Sequence, residues 1–220
     1  DIAFSKRQMA YSFKETAPRF YLLDVEWEKE VNKILKELGL APECTFTFNE
    51  NNSFEVTVNR DGGQYNIKQF KTQPTSHENL VLLNEPQDVN YIFHTSGSTG
   101  AGKAVLGCHD SLSHFIHWQL REFNIDASFR VSQLSQHTFD ASLRDILLPL
   151  CAGATLCIPP KGTKDNLTTL VQWIINESIT LIHTVPSFFR VIAREMLLAN
   201  ETPVSLRYVF LAGEYITVQD

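Results

Sequence analysis

The stretch of residues 91–105 constrains the fold more than any other part of the chain. Tyr91, Ile92 and Phe93 predict the end of a buried strand, and the residues after them are too polar and too rich in glycine to pack into a core. Glycines allow positive φ angles and let backbone N–H groups approach a ligand, while hydroxyls and a lysine donate hydrogen bonds. These are the groups that bind a polyphosphate. The predicted phosphate loop contains Thr95, Ser96, Gly97, Ser98, Thr99, Gly100, Gly102 and Lys103.

Two other interpretations of this loop compete with that one. The first is a flexible Gly/Ser surface loop, but the hydrophobic run before it and Lys103 after it favour phosphate binding. The second is the P-loop of an NTPase, because Gly97 to Lys103 fits the pattern G-x-x-x-x-G-K. However, Ala104 stands where a P-loop needs Ser or Thr to hold magnesium, and residues 104–109 are a poor start for the helix that a P-loop requires. A strand directly after Lys103 would exclude this second interpretation.

The composition is typical of a soluble globular protein, with 43% hydrophobic and 20% charged residues. A net charge of −6 without a basic stripe argues against nucleic acid as a partner. No apolar run approaches the ~20 residues of a membrane span, and no signal peptide opens the chain. The four cysteines have no metal-site spacing. We therefore expect a cytoplasmic protein with reduced thiols, no membrane contact and no metal site of its own.

Strands alternate with helices along most of the chain, which predicts β-α-β units and the α/β fold class, with a largely parallel sheet and flanking helices. Residues 1–86 are predicted to form a leading α/β segment with a hairpin, and residues 87–220 a second segment that carries the phosphate loop. The predicted helices are residues 5–16, 26–38, 111–122, 141–150, 167–178 and 187–200, and the predicted strands are residues 19–24, 44–48, 54–58, 65–70, 130–134, 154–158, 180–185 and 206–211. In the helix of residues 141–150, the face predicted to be buried carries Leu143, Ile146, Leu147 and Leu150.

Four segments resemble one known family in its order and spacing. The loop TSGSTGAGKA resembles the TSGSTGxPKG loop of the adenylate-forming superfamily, especially the adenylation domains of nonribosomal peptide synthetases, with Gly102 in place of proline and Ala104 in place of the last glycine. His109 stands where the family often has a histidine. The other three segments are RVSQLSQHTFDASLRDILLPLCAGATLCIP from Arg130, ITLIHTVPSFF from Ile179 and LRYVFLAGE from Leu206. The chain is thus similar to part of an adenylate-forming N-terminal core.

This resemblance implies an enzyme that converts an amino acid and ATP to aminoacyl-AMP and pyrophosphate, then loads a carrier-protein thiol. It implies ATP and Mg²⁺ as cofactors, phosphopantetheine on the carrier protein, carrier-protein and condensation domains as partners, and a role in secondary metabolism. Thr95 and Lys103 are expected to be the catalytic residues that hold the phosphates. The chain ends before the family's ribose-binding aspartate and its lysine-bearing C-terminal domain, so we expect a partial domain that is inactive by itself.

The resemblance also assigns an amino-acid pocket. It places Asp140 on the substrate's α-ammonium group, which favours an amino acid over a fatty or aryl acid. The alternatives are that Asp140 caps the following helix or pairs with Arg144 one turn later. The implied pocket residues are Asp140, Ala141, Arg144, His183, Phe210 and Ala212.

The pocket residues Arg144 and His183 suggest the substrate class. An arginine that faces a pocket needs an anion, and a carboxylate fits its fork-shaped donors. The pair resembles adenylation domains that load glutamate or β-methylaspartate, so an acidic amino acid (glutamate, aspartate or β-methylaspartate) is predicted. The alternatives are that Asp140 or Asp145 satisfies Arg144, and that His183 is an ordinary core residue. For the whole chain, the alternative function is a non-catalytic module that binds a nucleotide or docks a synthetase domain.

Overall fold

The computed structural model describes residues 6–48, 54–60, 63–67, 83–95 and 103–217. The chain divides into two compact units, one of residues 2–83 and the other of residues 84–220. In the described part of the chain, no helix has both the length and the apolar character that crossing a membrane requires.

The first unit is a four-stranded mixed sheet with two helices. Its elements are α1 (Lys6–Thr16), β1 (Phe20–Asp24), α2 (Val25–Leu38), β2 (Cys44–Phe48), β3 (Phe54–Arg60) and β4 (Gly63–Ile67). The sheet order is β1-β2-β3-β4, with β1 and β2 parallel and the later pairs antiparallel. The predicted hairpin of β2 and β3 is therefore confirmed, while residues 68–70 of the predicted third strand lie outside the described residues.

Helix α2 shows why the sequence folds this way locally. Asp24 accepts a hydrogen bond from the backbone N–H of Glu26 at the helix start, and Gly39 ends the helix with a φ of 67°. The face with Val31 and Leu35 packs against Tyr21 of β1, which buries the apolar stripe that the sequence predicts.

The second unit contains a hairpin and a parallel sheet. Its elements are β5 (Val89–Thr95), β6 (Lys103–Cys108), α3 (His109–Glu122), β7 (Arg130–Ser132), α4 (Ala141–Ala152), β8 (Thr155–Cys157), α5 (Leu167–Asn176), β9 (Leu181–Thr184), α6 (Pro186–Leu198) and β10 (Tyr208–Leu211). Strands β5 and β6 pair antiparallel, and the four-stranded sheet has the order β10-β9-β7-β8 with all neighbours parallel. The predicted α/β class is confirmed, and Asn166 caps α5 as expected by accepting from the N–H of Thr169.

Helices cover both faces of the parallel sheet, as short buried parallel strands require. On one face, Ile182 packs with residues of α5 and α6. On the other face, Leu181 packs with Ile116 of α3 and Leu148 of α4. Because successive side chains of a strand point to opposite faces, His183 lies on the same face as Leu181, towards α3 and α4.

Two predictions about burial are wrong. The buried residues of α4 are Ser142, Asp145, Leu148 and Pro149, whereas Leu150 is 60% exposed. Helix α4 is apolar on more than one side, so counting apolar residues selects the wrong face. The carboxylate of Asp145 faces inward because it has polar partners there. In β5, Ile92 is 41% exposed, because this strand belongs to a two-stranded hairpin and not to the centre of a sheet.

Candidate functional site

The β5–β6 hairpin carries the two ends of the predicted phosphate loop. In its antiparallel register Thr95 is opposite Lys103, and the hydroxyl Oγ1 of Thr95 lies 3.5 Å from the carbonyl oxygen of Lys103. Both residues are exposed. The predicted site residues Ser96, Gly97, Ser98, Thr99, Gly100 and Gly102 lie outside the described residues, so their roles stay predictions. The strand that begins at Lys103 is incompatible with a P-loop, which continues into a helix at this point.

Tyr91 of β5 lies in close contact with Gly107 of β6. Tyr91 is directly opposite Gly107 in the register, and its ring lies over the glycine. A Cβ atom at position 107 would lie 1.8 Å from Cζ of Tyr91, so no other residue leaves room for the ring. The position of the Tyr91 ring therefore depends on the absence of a side chain at Gly107.

We expect Gly107→Ala to destabilise the second unit by about 1–3 kcal/mol, because the tyrosine ring must leave its place over the hairpin. The loss of stability is measured as the difference in the free energy of unfolding in urea between the Gly107→Ala variant and the unchanged protein. In a Tyr91→Ala background the same Gly107→Ala substitution should be neutral or stabilising, because alanine suits an ordinary strand position better than glycine does. Equal effects of Gly107→Ala in both backgrounds would show that Tyr91 is not the cause.

Helix α3 follows the hairpin directly and begins with His109. Its ring nitrogen Nδ1 lies 3.2 Å from the amide nitrogen Nδ2 of Asn90 in β5. Because an amide nitrogen only donates, Nδ1 accepts this hydrogen bond. His109 thus ties the start of α3 to the first strand of the hairpin.

At the start of α4, Asp140 is exposed and Arg144 is half-buried. Asp140 occupies the N-cap position, but its side chain makes no capping hydrogen bond. In the described part of the chain, neither Asp140 nor Asp145 forms an ion pair with Arg144. The structure therefore shows neither Asp140 capping α4 nor an aspartate neutralising Arg144. The substrate roles of Asp140 and Arg144 stay predictions.

His183 is fully buried in β9 and has polar neighbours on two helices. Its Nδ1 lies 3.0 Å from Oδ1 of Asp145 in α4, and its Nε2 lies 2.9 Å from Nε2 of Gln119 in α3. The second oxygen of Asp145 accepts a hydrogen bond from the backbone N–H of Ser135 at 2.9 Å. Burial lowers the pKa of His183, and the contact with Asp145 opposes this shift. The sequence alone did not predict that Gln119 contacts His183 or that Asp145 is buried.

Strand β10 places Phe210 beside His183. The two residues are partners in the parallel register, and their rings stack with centroids 5.3 Å apart. Ala212 follows the strand, and its N–H donates to the carbonyl of Thr184 at 3.1 Å. The structure thus brings His183, Phe210 and Ala212 together at the carboxyl ends of β9 and β10, where ligands bind in open parallel sheets. Ala141 lies half-buried in the first turn of α4.

A parallel sheet covered by helices, together with a separate antiparallel hairpin, makes the chain an α/β protein. Residues 1–219 match the family of AMP-binding enzymes, and the chain belongs to that family. No group of three or more His, Cys, Asp or Glu side chains that could hold a metal ion occurs among the residues described.

Several characterised proteins are similar to the chain. L-2-aminoadipate reductase of Schizosaccharomyces pombe is 33% identical over 196 residues, which are 89% of this chain and 13% of the reductase. Zwittermicin A synthase ZmaJ of Bacillus cereus is 31% identical over 144 residues, which are 64% of this chain and 27% of the synthase. Gramicidin S synthase 2 of Brevibacillus brevis is 28% identical over 143 residues, which are 65% of this chain and 3% of the synthase. The chain therefore spans only a small part of each relative.

Solved structures share the fold at low sequence identity. The α-methyl-L-serine-AMP-bound form of the nonribosomal peptide synthetase FmoA3 superposes with a TM-score of 0.73 at 21% identity, covering 99% of this chain and 21% of that one. ATP-bound MatB from Rhodopseudomonas palustris superposes with a TM-score of 0.68 at 16% identity, covering 95% of this chain and 38% of that one.

Proposed function

We propose that this chain is part of an amino-acid-activating adenylation domain of a nonribosomal peptide synthetase. Residues 1–86 would form its leading segment, and residues 87–220 would carry the phosphate loop and the amino-acid pocket. The observation that carries this proposal is the hairpin that sets Thr95 opposite Lys103 at the two ends of a glycine-rich loop. The synthetases among the relatives support it. We call the polypeptide with a complete adenylation domain the parent protein.

In the proposed first step, an oxygen of the substrate carboxylate attacks the α-phosphorus of ATP and pyrophosphate leaves. The ammonium group of Lys103 and the hydroxyl of Thr95 are exposed at the loop ends, where they can donate hydrogen bonds to phosphate oxygens. Charge that develops on the leaving group is then stabilised by donors already in place. Mg²⁺ commonly binds through substrate phosphates and one or two carboxylates, so we propose that it enters with the nucleotide.

In the proposed second step, the thiol of a carrier-protein phosphopantetheine attacks the acyl carbonyl and AMP leaves. The carrier-protein and condensation domains of a synthetase are the proposed partners, in a cytoplasmic pathway of secondary metabolism. Relatives named as synthases of zwittermicin A and gramicidin S support this assignment.

The proposed substrate is an acidic amino acid. Asp140, which makes no capping hydrogen bond, would hold the α-ammonium group. Arg144 forms no ion pair with a described residue and would bind the side-chain carboxylate, with His183 in support. The relative named L-2-aminoadipate reductase, matched over most of the chain, carries the name of an amino acid with a second carboxylate.

The test is amino-acid-dependent ATP–pyrophosphate exchange by the parent protein, with each proteinogenic amino acid and β-methylaspartate. We expect glutamate, aspartate or β-methylaspartate to give the highest kcat/KM. A neutral amino acid as the best substrate would refute the acidic specificity but leave the adenylation activity standing.

The alternative is a non-catalytic module that binds a nucleotide or docks another synthetase domain. Gly102 and Ala104 favour it, because the loop of the resembling family has proline and glycine at these two positions. ATP binding by the parent protein without exchange for any amino acid would select this alternative.

A further inference from the structure

The polar residues behind the proposed pocket form a buried group of three, which we call the His183 cluster: Gln119, Asp145 and His183. Their exposed fractions are 2%, 0% and 0%. They come from three elements, α3, α4 and β9, and the proposed reaction gives no role to Gln119 or Asp145. Polar side chains buried so completely are usually retained only with their hydrogen bonds satisfied.

The hydrogen bonds of this cluster are incomplete. The amide nitrogen of Gln119 can only donate, so Nε2 of His183 accepts and the ring proton is on Nδ1. The carbonyl oxygen Oε1 of Gln119 is buried with no hydrogen-bond partner among the described residues. Nδ1 of His183 and Oδ1 of Asp145 lie 3.0 Å apart, which is an ion-pair distance once the ring is protonated.

Protonation of His183 at Nε2 would give the buried oxygen of Gln119 a partner. An imidazolium donates from both nitrogens, so Nδ1–H keeps facing the Asp145 carboxylate and the new Nε2–H needs an acceptor. A half-turn of the Gln119 amide places its unpartnered Oε1 where its nitrogen now lies, which supplies that acceptor. Charge-assisted hydrogen bonds of this kind are stronger than those of the neutral cluster.

The charges around the ring determine when this protonation occurs. The groups that face His183 are the Asp145 carboxylate and, at longer range, the Arg144 guanidinium on α4, the neutral amide of Gln119 on α3 and the uncharged ring of Phe210 on β10. Asp145 itself also interacts with the charges of Lys164 and His137. A substrate carboxylate bound beside Arg144 would add one negative charge near His183. A proton on His183 offsets that added charge.

We propose that Gln119 and Asp145 are specificity-determining residues that act through His183: binding of an acidic side chain beside Arg144 makes His183 take up one proton, and Gln119 turns its amide to accept the new N–H. Both are positioning residues that do not touch the substrate. This inference rests on the proposed acidic substrate. Burial lowers the pKa of His183, which is consistent with a neutral ring before the substrate arrives.

The first measurement is the proton count of binding in the parent protein. Titration calorimetry in two buffers of different ionisation enthalpy should show uptake of about one proton per bound acidic amino acid near pH 7.5. Between the pKa values of free and bound His183, the KM for that amino acid should rise about tenfold per pH unit. The corresponding neutral amide, glutamine or asparagine, should cause no uptake.

The second measurement uses variants of the two positioning residues. Gln119→Met keeps the shape but offers only a weak thioether acceptor, so we expect loss of the proton uptake and about a tenfold or larger rise in KM for the acidic amino acid, with the KM for ATP unchanged. Asp145→Asn removes the counter-charge and lowers the pKa of His183, so the rise of KM with pH should begin at lower pH. Glu122→Gln, on the exposed side of α3, is the matched control and should leave the proton uptake and the KM values of the parent protein unchanged.

The outcomes separate the inference from the function on which it rests. A parent protein that selects an acidic amino acid without proton uptake, or a Gln119→Met variant that retains the uptake, overturns the inference alone. Selection of a neutral amino acid overturns both. If Asp145→Asn fails to fold, as judged by circular dichroism, Gln119→Met still decides the question.

Discussion

Replacement of Lys103 by alanine in the parent protein is expected to lower kcat for ATP–pyrophosphate exchange by ~10²–10³-fold, the usual effect of losing one donor to transition-state charge. Lys103 is exposed at the end of the proposed phosphate loop, opposite Thr95. Thr95→Ala should act in the same direction because it removes a hydroxyl donor. The same prediction extends to Thr99→Ala, although Thr99 lies outside the described residues.

Lys33→Ala is the matched control for Lys103, because Lys33 is an exposed lysine in the middle of α2 and lies far from the loop in sequence. It should leave exchange unchanged. Parental exchange rates in Lys103→Ala, Thr95→Ala and Thr99→Ala together would mean that the phosphates bind elsewhere.

Replacement of Arg144 by alanine is expected to lower kcat/KM for the acidic amino acid by roughly 30-fold, which corresponds to about 2 kcal/mol, the lower end for loss of one member of a buried, hydrogen-bonded charge pair. The lower end applies because Arg144 is only half-buried. Arg144→Lys should fall between the parent and alanine variants, since it keeps the charge but loses the fork-shaped donor pair. Exchange kinetics with the acidic amino acid and its neutral amide give the comparison.

The control for this substitution is Arg194→Ala, an exposed arginine on α6. It should leave the substrate preference as it is. If Arg144→Ala keeps both the acidic preference and the parental kcat/KM, the carboxylate is bound by another residue.

The sequence predicted those parts of the structure that depend on periodic patterns. Strands alternating with amphipathic helices indicated the α/β class, and the start of α5 followed from the capping side chain of Asn166. The strand ends were less accurate: β7 ends at Ser132 and not at Leu134, because pairing with neighbours, not local composition, decides where a strand stops.

The His183 cluster could not be predicted in the same way. Asp145 lies on the same face of α4 as Leu148, and a carboxylate on such a face would ordinarily be assigned to solvent. Asp145 is buried because β9 brings His183 to it from a distant part of the sequence. One signal in the sequence was a carboxylate three residues before Leu148 in an otherwise apolar stretch of the helix.

The strand order β10-β9-β7-β8 has a consequence for the synthesis of the chain on the ribosome. Strand β7 emerges first and pairs with β8 on one side, but its other side stays open until β9 has been made. Pairing between distant segments is slow because a long loop must close first. His183 and Phe210 belong to the two strands of this sheet that are made after β7 and β8, so these residues of the proposed amino-acid pocket come together only then. Until then, the open side of β7 is the unpaired edge at which a nascent chain is most exposed to misassembly.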